Sequence, residues 1–209
     1  ADIGDIATAS SRPATINCNP LIMCQPTRMN SARAIARMSS NGHQCTGTLL
    51  NNESNNGRAF FLTAFHCIDV SGGITGGSNG QIDQNEIDAL TDARFQFQFW
   101  RTACGGTINN RGIEFTGAVI RASWKNSDVV LLELTNPPGI GDGVNYAGWN
   151  RQTTAPPDNS SYIIHHPAGE DMRVTSTKKV NNWFWNNMFW SAHYSSGTVT
   201  GGSSGSALF

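Results

Sequence analysis

Hydrophobic positions along this chain fall in short runs cut by Gly, Asn and Pro clusters, without the i, i+3, i+4 spacing of long amphipathic helices. Gln44 to Leu50 and Arg58 to Ala64 read as two strands, and the polar stretch 51–57 joins them as a hairpin loop. Arg94 to Trp100 alternates without interruption, which predicts Phe95, Phe97 and Phe99 on one face of a strand. Ile113 to Ala122 predicts one further strand, and Val129 to Leu134 a strand buried on most sides. Asn136-Pro137-Pro138-Gly139 breaks the pattern and is the expected domain boundary. Beyond it, Tyr162 to His165 and Met172 to Ser176 read as strands. A stretch with Trp183, Trp185 and Trp190 then reads as core, or as one wall of a binding groove. Residues 1–30, with three prolines, predict an extended lead-in, and residues 71–92 a surface loop with one helical turn. Many short strands with frequent turn residues argue for an all-β barrel or sandwich fold, divided into a lead-in (1–30) and two units (31–136 and 137–209).

Composition narrows the functional classes. Charged residues are only 14% of the 209 and the formal net charge is −1, so the clustered Lys and Arg of a nucleic-acid partner are missing. No apolar run approaches the ~18 residues that span a bilayer. The sequence opens on Ala1 with no leader pattern, so removal of a leader or propeptide is expected. Cys18, Cys24, Cys45, Cys67 and Cys104 are scattered, which suits disulfides in an oxidising compartment better than a zinc ribbon. Their odd number leaves one as a free thiol or as partner to a segment outside this sequence.

Three segments carry chemistry in combination: Phe61-Leu62-Thr63-Ala64-Phe65-His66-Cys67, Asn126-Ser127-Asp128, and Gly202-Ser203-Ser204-Gly205-Ser206. A serine hydroxyl needs a base to become a nucleophile, histidine titrates near neutral pH, and a carboxylate fixes the imidazole tautomer. Glycines beside the serine allow a tight turn, so that the amides of Gly202 and Ser204 can face a developing oxyanion. The order His, Asp, Ser, with wide spacing, separates this pattern from the subtilisin and α/β-hydrolase orders. His165 and His166 are adjacent and face opposite sides of a strand, so a structural role is expected over a metal site. Asp83, Glu86 and Asp88 lack the spacing of a calcium loop and read as solvated. Neither a metal nor a cofactor is expected.

These segments resemble the trypsin/chymotrypsin superfamily and, more closely, the bacterial lysyl endopeptidases. Cys18-Asn19-Pro20, Cys45-Thr46-Gly47-Thr48, Ala147-Gly148-Trp149, Ile164-His165-His166-Pro167 and the Ser204 loop carry the likeness, which runs from about residue 18 to the end. It implies two six-stranded barrels, with His66 as general base, Asp128 as its orienter and Ser204 as nucleophile. It also implies Cys45–Cys67 and Cys24–Cys104 bridges, with Cys18 paired to a cysteine beyond Phe209. The second barrel is therefore expected to be incomplete at its C-terminal end, with a further segment or a second, disulfide-linked chain completing it. Phe65 and Ala207 depart from the family, which often carries histidine and proline there. Ser203 stands where trypsins carry the aspartate that pairs with a new amino terminus, and Thr198 where they carry the lysine- and arginine-selecting aspartate. The resemblance implies a secreted bacterial endopeptidase, made as a precursor, acting on polypeptides with a preference for lysine. The alternatives are a non-catalytic homologue serving as a binding or adhesion module, or an inactive fragment.

Overall fold

The computed structural model describes residues 18–70, 78–108, 112–184 and 189–209, with backbone alone for 182–184. Most of the expected lead-in, Trp185 and the side chain of Trp183 lie outside the described residues. Seven strands, β1 (Ile35–Ser40), β2 (His43–Leu50), β3 (Phe60–Thr63), β4 (Arg94–Phe97), β5 (Ile113–Thr116), β6 (Ala118–Trp124) and β7 (Val129–Leu134), form one antiparallel sheet in the order β5-β4-β1-β2-β3-β7-β6. Its two edge strands, β5 and β6, are separated in sequence by Gly117 alone. The sheet must therefore curl until its edges approach, which gives it the form of a barrel. Gly117 has φ +84°, and a Cβ there would strike the Thr135 hydroxyl. This corner splits the single strand expected over 113–122.

Two other expectations change. The Phe alternation of β4 ends at Gln98, whose φ is +58° and whose side-chain amide donates to the Asp142 carbonyl at 2.8 Å. Phe95 and Phe97 remain in the barrel core, packed edge to face against Phe61 with centroids 4.8 and 6.4 Å away. Phe99 is turned instead onto the His166 ring, 6.0 Å between centroids. β7 is buried on one face only: Val130, Leu132 and Leu134 point inward and the residues between them are half-buried.

The remaining strands, β8 (Tyr162–His165), β9 (Arg173–Phe184) and β10 (Phe189–Ser196), form a second antiparallel sheet in the order β10-β9-β8. Leu208 pairs with Ile163 on the open side of β8, and Tyr162 and Phe209 exchange both backbone hydrogen bonds. The second core joins Ile164, Met172 and Val174 to Ile22, Ala32, Ile35 and Trp100. Residues from the N-terminal segment and the first sheet thus help to cover the second sheet. Of the acidic residues at 83–88, Glu86 is buried rather than solvated. Helix α1 (Gln84–Ala89) opens with a capping box, in which Glu86 accepts from the Asp83 amide, and the same carboxylate takes the Val70 amide at 2.7 Å. Disulfides join Cys24 to Cys104 and Cys45 to Cys67, while Cys18, in neither bridge, is exposed.

Candidate active site

His66 occupies a 3-10 turn (Phe65–Cys67) directly after β3, where the Cys45–Cys67 bridge ties the turn to β2. Asp128 ends another 3-10 turn (Lys125–Ser127) in the left-handed region, φ +51°, just before β7. Because β3 pairs with β7, the two turns emerge side by side. Asp128 then delivers both oxygens to His66: Oδ1 accepts the backbone amide at 2.9 Å and Oδ2 meets Nδ1 at 2.7 Å. Its carbonyl accepts from the Phe65 amide. A carboxylate only accepts, so Nδ1 carries a proton and Nε2 is left to face outward. The hydrogen bond to Asp128 raises the His66 pKa above its ordinary 6.5, partial burial opposes the rise, and the carboxylate charge adds to it.

The Ser204 loop docks on the same strand ends. The Thr46 amide of β2 donates to the Ser204 carbonyl at 2.8 Å. Gly205, at φ +82°, lies so close that a Cβ would meet Thr63, the Thr46 carbonyl and, at 2.9 Å, the amide of Ala64. Ala64 immediately precedes the His66 turn, so the loop and the histidine share one support. Among the described residues the Ser204 hydroxyl makes no hydrogen bond to His66.

Carbonyl partners orient the loop amides. The Gly201 carbonyl accepts from the Ala168 amide at 2.6 Å, and the Ser203 carbonyl from Ser206 at 3.1 Å. In a trans peptide the N–H points opposite to the C=O. The amides of Gly202 and Ser204 are therefore turned away from those contacts, and neither donates to another group among the described residues.

His165 and His166 support the loop from beneath. Both are fully buried: β8 ends at His165, and His166 packs in the interior beside Phe99. His165 Nδ1 lies 2.7 Å from Ser203 Oγ, and Nε2 lies 3.0 Å from Thr175 Oγ1. Thr175 Oγ1 donates onward to Asn19 Oδ1 or the Thr198 carbonyl, so Nε2 is the protonated nitrogen and Nδ1 accepts from Ser203. Burial, with the neighbouring His166 and Arg173 charges, lowers the His165 pKa to about 3. Burial lowers that of His166 to about 4 against the Glu170 carbonyl that accepts from Nδ1. Thr198 is held through its amide by Asn19 Oδ1 at 2.6 Å.

Among the described residues one group has the composition of a metal site: a ring nitrogen of His66 lies within 4.8 Å of the sulfurs of Cys45 and Cys67. Those sulfurs are bonded to each other and offer no thiolate. Sequence reasoning missed Thr46 and Thr63 as supports. The available signal was Thr46 between Cys45 and the apolar end of its strand, since a buried hydroxyl needs a partner.

The family model for the lysyl endopeptidase C-terminal domain matches residues 13–209. A lysyl endopeptidase of Pseudomonas aeruginosa is 34% identical over 195 residues, covering 86% of this chain and 37% of that protein. The chain therefore spans little more than a third of that relative's length. Among solved structures, Deg5 matches 90% of this chain and 79% of its own at 10% identity and a TM-score of 0.55. The Rv3671c protease in its inactive form matches 97% of this chain and 81% of its own at 12% identity and a TM-score of 0.52. At these identities the likeness is one of fold, and it agrees with a chymotrypsin-like arrangement whose second barrel is incomplete.

Proposed function

The chain belongs to the lysyl endopeptidase family, and from that premise we propose that it hydrolyses peptide bonds through an acyl-enzyme, with Ser204 as nucleophile, His66 as general base and Asp128 as the residue that orients it. The observation that carries this reading is the 2.7 Å contact between His66 Nδ1 and Asp128, made at the strand ends on which the Ser204 loop is seated. With Nδ1 engaged, Nε2 takes the proton of Ser204 as its oxygen attacks the scissile carbonyl. The oxyanion is received by the amides of Gly202 and Ser204. His66 then protonates the leaving amine, and water, activated by the same imidazole, hydrolyses the ester. Residues 31–136 contribute His66 and Asp128 to this site and residues 137–209 contribute Ser204.

Family membership and the disulfides support an extracellular, precursor-derived enzyme that acts on polypeptides with a preference for lysine before the cleaved bond. The test is covalent labelling with a fluorophosphonate. We expect stoichiometric modification of Ser204, lost in Ser204→Ala and suppressed by more than ~10³-fold in His66→Ala. A peptide library cleaved after lysine, and not after arginine or leucine, would support the specificity. A folded, oxidised protein that takes up no probe would sink the reading.

A further inference from the structure

Thr46 lies at a gap in the first sheet. β3 follows β2 only as far as the Thr48–Leu62 pair, so Thr46 has no ladder partner on that side. The nucleophile loop enters the gap, where the Thr46 amide donates to the Ser204 carbonyl at 2.8 Å, while the Thr46 carbonyl accepts from Thr63 Oγ1 of β3 at 2.8 Å. The side chain reaches the other half of the molecule. Its hydroxyl donates to the Gly202 carbonyl at 2.8 Å and accepts from the His166 amide at 3.0 Å. One hydroxyl proton and one of the oxygen's lone pairs are thus both used, and the residue is fully buried.

His166 opens the turn 167–169, whose Ala168 amide holds the Gly201 carbonyl. The Thr46 hydroxyl therefore fixes one carbonyl of the loop directly and a second through that turn. These two carbonyls flank the Gly202 amide. A Cβ on Gly202 would press on the Ala168 amide at 3.1 Å and, more closely, on Gly169 and the His166 carbonyl, so the loop lies tight against that turn. We infer that Thr46 is a positioning residue for the reaction: its hydroxyl aims the Gly202 amide into the cleft only when the two sheets are docked. The inference rests on the proposal that Ser204 is the nucleophile and that Gly202 is an oxyanion donor.

The experiment compares Thr46→Val, Thr46→Ser and Thr46→Ala in the full chain, by the rate of fluorophosphonate labelling of Ser204. Valine keeps the shape and removes the hydroxyl; serine keeps the hydroxyl and removes the methyl. If the hydroxyl positions the amide, Thr46→Val loses about 100-fold in kinact with KI unchanged, while Thr46→Ser stays within about threefold of the parent. If Thr46 serves packing alone, the order reverses, and Thr46→Val labelling as fast as Thr46→Ser overturns the inference. Should the valine variant not fold, Thr46→Ala against Thr46→Ser isolates the hydroxyl in the same way, with a slower alanine variant expected and equal rates overturning. An unlabelled parent protein would overturn the proteolytic reading and this inference with it. A labelled parent with equal variants overturns the inference alone.

Discussion

Asp128 shows how much one residue can arrange. Its left-handed backbone, rare for a residue with a Cβ, brings both carboxylate oxygens to His66, one on the main chain and one on the ring. The ring is about half exposed, so the carboxylate rather than burial dominates its titration. In the proposed reaction His66 must be neutral to act as general base, so the rate is expected to rise with pH through an apparent pKa above 6.5. Stability runs the other way: the raised pKa stabilises the folded state below the unfolded value, and that contribution is lost as pH climbs through the folded one. Replacing Asp128 by Asn puts an amide where the acceptor was. It favours the wrong imidazole tautomer and should lower kcat by ~10⁴-fold. It should also move the acidic limb of kcat/KM to lower pH. A pH–rate profile of Asp128→Asn with that limb unmoved would show that Asp128 does not set the His66 titration.

At the scale of elements, the site depends on how a turn sits against strand ends. Gly205 is the tightest point, pressed on Thr63, the Thr46 carbonyl and the Ala64 amide at a φ of +82°. Gly201, four residues earlier, has open space where a Cβ would stand and no left-handed constraint. Gly205→Ala should therefore push the loop off β2, costing roughly 1–3 kcal/mol in stability and ~100-fold in Ser204 labelling. Gly201→Ala should leave both nearly unchanged. Urea unfolding and labelling rates of the two variants check this, and similar behaviour of the pair would show that the packing around Gly205 does not matter. What could be read from the sequence follows the same division. The β2–β3 hairpin was legible because alternation and a polar loop are local signals. The turn at Gln98 was not, because glutamine has no left-handed preference and its partner, the Asp142 carbonyl, lies 44 residues on. His66, Asp128 and Ser204 stood out through their flanking residues. Thr46 instead acts through groups such as the Gly202 carbonyl, 156 positions away in sequence, which no local pattern announces.

Across the whole molecule, the two sheets are held together by residues drawn from distant parts of the chain, and two buried histidines lie at that junction. His165 links β8 to the Ser203 hydroxyl, and the His166 amide meets Thr46 of the first sheet. Asn19, from the N-terminal segment, joins the same network through Thr175 and Thr198. Both histidines stay neutral in the folded state, with pKa values lowered to about 3 and about 4, mainly by burial. Unfolded histidine takes a proton near 6.5. With folded values depressed, the stabilising contribution is complete above 6.5, erodes as pH falls below it, and is exhausted only near the folded values. Between pH 7 and 5 each histidine should cost the fold about 2 kcal/mol, in a window where ordinary carboxylates barely titrate. His66, with its raised pKa, contributes in the opposite direction and offsets part of the loss. Urea midpoints at pH 7, 6 and 5 should fall steeply for the parent. The slope should be reduced in His165→Gln and in His166→Gln, whatever their stability at pH 7. Parallel slopes in all three proteins would mean that these histidines do not link proton uptake to separation of the two sheets.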